Sequence, residues 1–313
     1  MRILVAGGAG FIGTNLCMKL IGEGHSVFCV DNLYTGNLEN IKQLLAQQKF
    51  TFFKEDITQL DKEIGVERIY NLACPASPKQ YQKDPVYTLK TNILGSLKLL
   101  NLAKGSNARI LQASTSEVYG DPEIHPQTEE YRGNVNCTGI RSCYDEGKRA
   151  AETLFMDYHR LYHTPVRIVR IFNTYGPYMD QDDGRVVSNF ITRALKGEPL
   201  EIYGDGAQTR SFCYIDDLVE GLVKMMEQDS LTGPVNLGND EECPVFELAQ
   251  KILVLTRSTS PVVYKPLPQD DPVKRRPCIK KAKEFLCWEP KIKLEQGLSK
   301  TIEYFKKQMT LMR

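Results

Sequence analysis

The chain has 313 residues, with 40 Lys and Arg against 39 Asp and Glu, a net charge of +1. Charge this balanced and interspersed argues against a nucleic-acid surface or an anionic-membrane face, so any basic site must be local. No run approaches a transmembrane span, Met1 leads straight into an apolar run, and the nine cysteines contain no Cys-x-x-Cys. The expectation is a chain with no leader or anchor, in a reducing cytoplasmic setting, with no disulfide and no metal.

In chain order, Arg2–Ala6 reads as a buried strand, and Gly7, Gly8, Gly10 and Gly13 turn it tightly into a helix. Glycines let the backbone approach a pyrophosphate, and the helix N-terminus meets that anion with partial positive charge. A second strand, 26–30, ends at Asp31. This acid falls about 20 residues beyond the glycines, where a carboxylate binds the adenosine ribose hydroxyls. The residues that follow, Asn32, Leu33, Tyr34, Thr35 and Gly36, include no cation to receive a 2′-phosphate, so the cofactor is read as NAD, not NADP.

Further strands are predicted near 50–55, 68–72, 109–113 and 165–171, with helices over 84–104 and 142–163. Such alternation predicts an α/β fold: a Rossmann-like, doubly wound parallel sheet with right-handed crossovers. Beyond about residue 173 the pattern loosens into a helix at 186–196, a strand at 200–203, a helix at 215–226 and a Pro-rich segment over 261–277. We expect residues 1–172 to form the dinucleotide-binding domain and 173–313 a smaller substrate lobe, with some later segments returning to the first. Ligands of such sheets sit beyond the carboxyl ends of the strands. The loops at 73–78, 114–120 and 173–177 are therefore the informative ones.

Within the second long helix, Tyr144 and Lys148 stand four apart and share one face. A phenol has a pKa of about 10. A neighbouring ammonium and an oxidised nicotinamide are expected to lower it, so that the phenol can take a proton from a sugar hydroxyl as hydride leaves the same carbon.

Longer motifs carry a family resemblance. They are 71–78 (Asn-Leu-Ala-Cys-Pro-Ala-Ser-Pro), 114–122 (Ser-Thr-Ser-Glu-Val-Tyr-Gly-Asp-Pro), His125-Pro126-Gln127, 142–149 (Ser-Cys-Tyr-Asp-Glu-Gly-Lys-Arg), 171–177 and 183–190. Across essentially its whole length the chain resembles the extended short-chain dehydrogenase/reductases that act on nucleotide sugars. Within them it is similar to the UDP-glucuronate decarboxylases, also called UDP-xylose synthases. The resemblance implies oxidation at C4 by NAD, loss of CO2 and re-reduction, turning UDP-glucuronate into UDP-xylose. A nucleotide-sugar 4,6-dehydratase or 4-epimerase is the alternative, and an NAD-sensing protein without activity a third class. Ser116-Glu117 separates the first two. Dehydratases of this kind carry Asp-Glu there, the aspartate expelling a 6-hydroxyl; epimerases often lack the glutamate.

The resemblance also implies site residues. Tyr144, Lys148, Thr115, Ser116 and Glu117 are the catalytic set. Besides the glycines and residues 31–36, NAD is expected to meet Phe11, Ile12, Asp56, Ile57, Leu72, Thr91, Thr174 and Arg185. UDP-glucuronate is expected to meet Lys90, Glu117, Tyr158, Asn173, Tyr203, Gln208, Arg210 and Arg275. A homodimer is implied, built by helices bearing Leu89, Ile93, Leu97 and Leu100, and Ala150, Leu154 and Tyr158. Three departures from the family pattern stand out: Arg132 for tryptophan, Cys137-Thr138 for Pro-Ile, and Tyr178 for arginine.

Overall fold

The computed structural model describes residues 1–266 and 274–311. The strands are β1 (Arg2–Ala6), β2 (Ser26–Val30), β3 (Phe50–Phe53), β4 (Arg68–Asn71), β5 (Arg109–Thr115), β6 (Val166–Ile171), β7 (Thr174–Tyr175), β8 (Leu200–Tyr203), β9 (Thr209–Ser211), β10 (Cys213–Tyr214), β11 (Val235–Leu237), β12 (Glu242–Pro244), β13 (Val262–Lys265) and β14 (Lys274–Arg275). The helices are α1 (Phe11–Gly22), α2 (Leu38–Ile41), α3 (Pro78–Tyr81), α4 (Pro85–Lys90), α5 (Ser96–Ser106), α6 (Ser142–Tyr162), α7 (Val186–Lys196), α8 (Ile215–Glu227), α9 (Val245–Thr256), α10 (Lys280–Leu286) and α11 (Leu294–Leu311).

A seven-stranded sheet in the order β11-β6-β5-β4-β1-β2-β3 forms the centre, and its pairings are parallel. Strands buried on both faces need continuous apolar runs. Ile3, Leu4, Val5 and Ala6 supply one, each at most 1% exposed. Val235–Leu237 lies far along the chain yet pairs with β6, so the chain returns to the central sheet after residue 173. Outside that sheet, β9 is flanked by β12 and β14, β8 pairs with β13, and β7 with β10.

Two differences from the predicted elements matter for the site. The strand predicted over 109–113 runs on to Thr115, which pairs with Ile171 and is thereby fixed at the carboxyl edge of the sheet. The helix predicted over 84–104 holds a π turn at Thr91–Gly95 between α4 and α5, a feature that hydrophobic spacing does not reveal. This turn packs against α6 at Gly147. A Cβ there would lie 2.8 Å from Asn92 Nδ2 and 3.1 Å from its Cβ, so a larger residue would push the Asn92 side chain aside. Among the described residues no helix is long and apolar enough to cross a membrane.

Candidate active site

A cleft of 1290 Å³ runs along the carboxyl ends of the strands. That exceeds the roughly 300–1,000 Å³ of a pocket for one drug-sized ligand and leaves room for a dinucleotide beside a second nucleotide.

One end is made of backbone. Gly7, Gly10, Phe11, Ile12 and Gly13 line it. A Cβ at Gly13 would sit 2.1 Å from the Gly7 carbonyl oxygen, so glycine is required where α1 leaves the turn. Gly10 caps α1 with no side-chain bond, which leaves the helix terminus open to the cleft. Asp31 stands beside it, 8% exposed. Its Oδ2 accepts the Ala9 N–H at 3.0 Å and its Oδ1 the Leu33 N–H at 2.8 Å. Burial pushes its carboxyl above the usual carboxylate range, against the lowering effect of those two amides. Asn32, Tyr34, Thr35, Gly36, Asp56, Ile57, Leu72 and Thr91 also line this end. Leu33 does not; it contributes its backbone N–H beneath Asp31, in a left-handed conformation with φ 63°. Tyr87, which sequence reasoning missed, also lines it, donating to Asp56 Oδ2 at 2.7 Å and accepting from Asn32 Nδ2 at 2.6 Å. An open helix terminus, a glycine cradle and a ribose-facing carboxylate fit NAD.

The middle of the cleft holds Thr115, Ser116, Tyr144 and Lys148, with Thr174 and Arg185 across from them. The Thr115 hydroxyl is near enough to the Tyr144 phenol to favour its charged form. The Tyr144 ring stacks on Tyr81, centroids 5.0 Å apart at 5°. Lys148 Nζ lies 5.7 Å from the centre of the Tyr144 ring and donates to the Ala113 carbonyl at 2.9 Å. The expected lowering of the phenol by this ammonium is not what the protein alone produces. Burial pushes Tyr144 well up and Lys148 down, and Thr115 and Arg185 offset the rise in Tyr144 only in part. An apolar surround disfavours whichever form carries charge.

The far end is ionic. Glu117 sits in a 3-10 turn, Ser116–Tyr119, that follows β5 directly. Arg275 of β14 grips both of its carboxylate oxygens, with Nη1 on Oε1 and Nη2 on Oε2 at 2.9 Å. Arg141 Nη2 adds a bond to Oε2 at 2.7 Å. Burial alone would raise the Glu117 carboxyl, but Arg275 and then Arg141 outweigh it and hold the group well below the usual carboxylate range. Asp145 is pushed the other way, by burial and then by the Glu117 charge. Asn173, Tyr203, Gln208 and Arg210 line the same end. Arg210 stands opposite Arg275 in the β9–β14 register.

Lys90 and Tyr158 are not brought to the cleft. Lys90 ends α4 on the surface. Tyr158 lies near the far end of α6, bonded to Asn101 Oδ1 at 2.7 Å and packed edge-on against Tyr162. Arg141 belongs to the site and was missed. It is the N-cap of α6, one residue outside the helix predicted over 142–163, so the helical spacing used for Lys148 did not single it out. Of the three departures, Tyr178 lines the cleft and accepts a bond from Gln43 Nε2 at 2.9 Å; Arg132 and Cys137-Thr138 lie off it.

Residues 3–238 match the NAD dependent epimerase/dehydratase family. A relative from Arabidopsis thaliana, UDP-glucuronic acid decarboxylase 6, is 53% identical over 307 residues, covering 98% of this chain and 89% of its own. UDP-glucuronic acid decarboxylase 1 from Danio rerio is 52% identical over 308 residues, covering 98% and 73%. Among solved structures, a UDP-glucuronic acid 4-epimerase from Bacillus cereus, in complex with UDP-glucuronic acid and NAD, superimposes with a TM-score of 0.90 at 28% identity, covering 98% of this chain and all of that one. With its dinucleotide turn, its Tyr144–Lys148 pair and identity of this extent, the chain belongs to the NAD dependent epimerase/dehydratase family and groups within it with the UDP-glucuronic acid decarboxylases.

Proposed function

We propose that this protein decarboxylates UDP-glucuronate to UDP-xylose, using NAD that is regenerated in every turnover. The observation that carries the reading is the Glu117–Arg275–Arg141 cluster at the sugar end of the cleft. A dehydratase needs a neutral acid to expel a 6-hydroxyl, whereas here Ser116 cannot serve and Glu117 is held ionised. Two guanidiniums at this end of the cleft support a substrate with a 6-carboxylate, since guanidinium suits carboxylate and diphosphate alike.

The residues divide the work by position. The glycine turn and Asp31 hold NAD, with Tyr34, Asp56 and Ile57 about its adenosine. Bound there, NAD supplies the hydride acceptor at C4 and a positive charge that offsets the burial of Tyr144. Tyr144 takes the C4 hydroxyl proton, and Thr115 donates to the same oxygen. With C4 a ketone, the C6 carboxylate is β to it. The C5–C6 bond breaks, CO2 leaves, and its electron pair becomes a C4–C5 enolate whose oxygen faces Tyr144 and Thr115. A proton from solvent reaches C5 through a water that Glu117, kept anionic, orients. Tyr144 then returns its proton to O4 as C4 is reduced.

Incubating the protein with UDP-glucuronate and NAD tests the reading. We expect CO2 and UDP-xylose in equal amounts. UDP-galacturonate without CO2 would make it a 4-epimerase instead, and a 4-keto-6-deoxy product from UDP-glucose a dehydratase. The free cysteines fit a cytoplasmic setting. We propose a homodimer as well, across a face where Leu89, Leu94, Leu161 and Tyr162 stand exposed on neighbouring helices. Leu100 does not belong to that face, being buried in the protein's own core. Light scattering at micromolar concentration should give twice the chain mass.

A further inference from the structure

The pairing of Glu117 with Arg275 joins residues 158 apart in sequence. Arg275 sits on a strand of only two residues, whose ladder partners are Thr209 and Arg210 on β9. So short a strand has little of its own to fix it, yet Arg275 is 5% exposed and grips both oxygens of one carboxylate. Something on its other side must hold it.

We propose that Gln127 is a positioning residue that presents Arg275 to Glu117. Gln127 is fully buried. Its backbone N–H donates to the Arg276 carbonyl at 2.9 Å, and its side-chain Oε1 accepts the Arg276 N–H at 2.9 Å. The Cys278 N–H donates to the Gln127 carbonyl at 2.8 Å. The segment that follows Arg275 is thus bonded to one residue three times. The other half of the amide is used too, Nε2 donating to the Ile124 carbonyl at 2.8 Å. Accepting from the segment after β14 while donating to the loop at Ile124 requires an amide at this length; a carboxylate lacks the donor and an apolar chain lacks both.

The clamp is also tied to the turn that carries Glu117. Asn236, again fully buried, donates to the Gln127 carbonyl at 3.0 Å and accepts the Tyr119 hydroxyl at 2.7 Å. Tyr119 closes the 3-10 turn that contains Glu117. One buried polar chain therefore fixes the backbone on both sides of the ion pair. Such networks, fully bonded, specify a single arrangement. This gives a role to His125-Pro126-Gln127, a motif that carries the family resemblance but lies outside the cleft. His125 adds to it, its Nε2 meeting Glu242 Oε2 at 3.1 Å, while Arg276 Nη1 reaches the same carboxylate at 3.2 Å.

The inference rests on the decarboxylase reading, so the first arm of its test is the wild-type protein. If that does not release CO2 from UDP-glucuronate, the reading falls and the inference with it. With the wild type active, Q127M, R275K and the double variant form a cycle. Q127M keeps the side-chain length and removes both bonds. A displacement of about 1 Å at a reacting group can cost up to 100-fold. We expect Q127M to lower kcat by about 10- to 100-fold with its Kd for NAD within about twofold of wild type, because the dinucleotide end shares none of these bonds. In the R275K background the same change should cost less than about threefold, since coupled residues are not additive. Near-normal kcat for Q127M, or full multiplication of the two losses, would overturn the proposal. A matching loss of NAD affinity would do so as well, because it would mean a general loss of fold. Should Q127M fail to fold, Q127N carries the same expectations, its amide being too short to reach both partners.

Discussion

The two ends of the cleft are each centred on a carboxylate largely shielded from water, and the two are handled in opposite ways. Asp31 is met by two neutral backbone amides, from residues 22 and 2 positions away, and burial raises it. Glu117 is met by two guanidiniums, one from 24 residues away and one from 158, and they lower it. The difference follows from what each must bind. Neutral ribose hydroxyls need an acceptor at a fixed place, which peptide dipoles can set without adding charge. An anionic sugar acid needs cations nearby, and cations left alone in a dry site would be costly. Glu117 provides the counter-charge that lets Arg141 and Arg275 be buried before substrate arrives.

The largest effect is expected where the two ends meet. Tyr144 lies between them, beside Thr115 and stacked on Tyr81. Y144F removes one oxygen and keeps the stacked ring. Turnover should fall by a factor of about 10² or more, with NAD affinity, measured by calorimetry, nearly unchanged. Turnover close to normal would remove the phenol from the mechanism.

The ionic end should break next. E117Q keeps the size and removes the charge, leaving two buried guanidiniums with half their partner. Turnover on UDP-glucuronate should drop by roughly 10- to 100-fold, as for loss of a group that handles a proton. Stability should drop too, because breaking a buried pair costs about 3–5 kcal/mol. The pH dependence has a definite sign. Glu117 is lowered in the folded protein, so its stabilisation is complete above its unfolded value of about 4.3 and is lost as pH falls through the folded one. The stability gap between E117Q and wild type, read from denaturant midpoints, should therefore be widest near neutral pH and close in strong acid. A gap that stayed constant with pH would place the stabilisation in packing instead of charge.

The same contrast explains what the sequence could reveal. The dinucleotide end is local: the strand, the glycines, the helix and Asp31 fall within residues 2–36, and spacing alone relates them. Tyr144 and Lys148 share a helix face and were legible for the same reason. Glu117 and Arg275 could be singled out only by resemblance, because no periodicity links a turn after β5 to a two-residue strand near the other end of the chain. Arg141 caps α6 just outside the predicted helix, so spacing along that helix did not single it out. The π turn at Thr91–Gly95 and the close approach at Gly147 were not legible, since each depends on how two helices pack. Lys90 and Tyr158 show the limit of carrying positions over: both lie on the correct helices and neither lines the cleft.

The smallest expected effect is at Asp31, and it tests whether the cofactor end works by charge as well as by shape. Its two oxygens accept the Ala9 and Leu33 amides, so the carboxylate is held in place before any cofactor arrives. A Cβ at Gly36 would lie 2.8 Å from Asp31 Oδ1, so that glycine keeps the carboxylate uncovered. A second phosphate on the ribose would meet this anion with no cation among residues 32–36 to balance it. The wild type should therefore bind NAD more tightly than NADP. Replacing Asp31 by Asn keeps one acceptor and removes the charge. Hydrogen bonds to charged groups contribute about 1.5–3 kcal/mol, of which part survives in the amide, so NAD affinity should fall by about tenfold. NADP affinity should fall less or rise, because repulsion is lost together with the bond. Narrowing of the NAD-to-NADP ratio in D31N, measured as two dissociation constants, would assign the preference to charge. An unchanged ratio would assign it to the shape of the glycine turn, and the two ends of the cleft would then differ less than their carboxylates suggest.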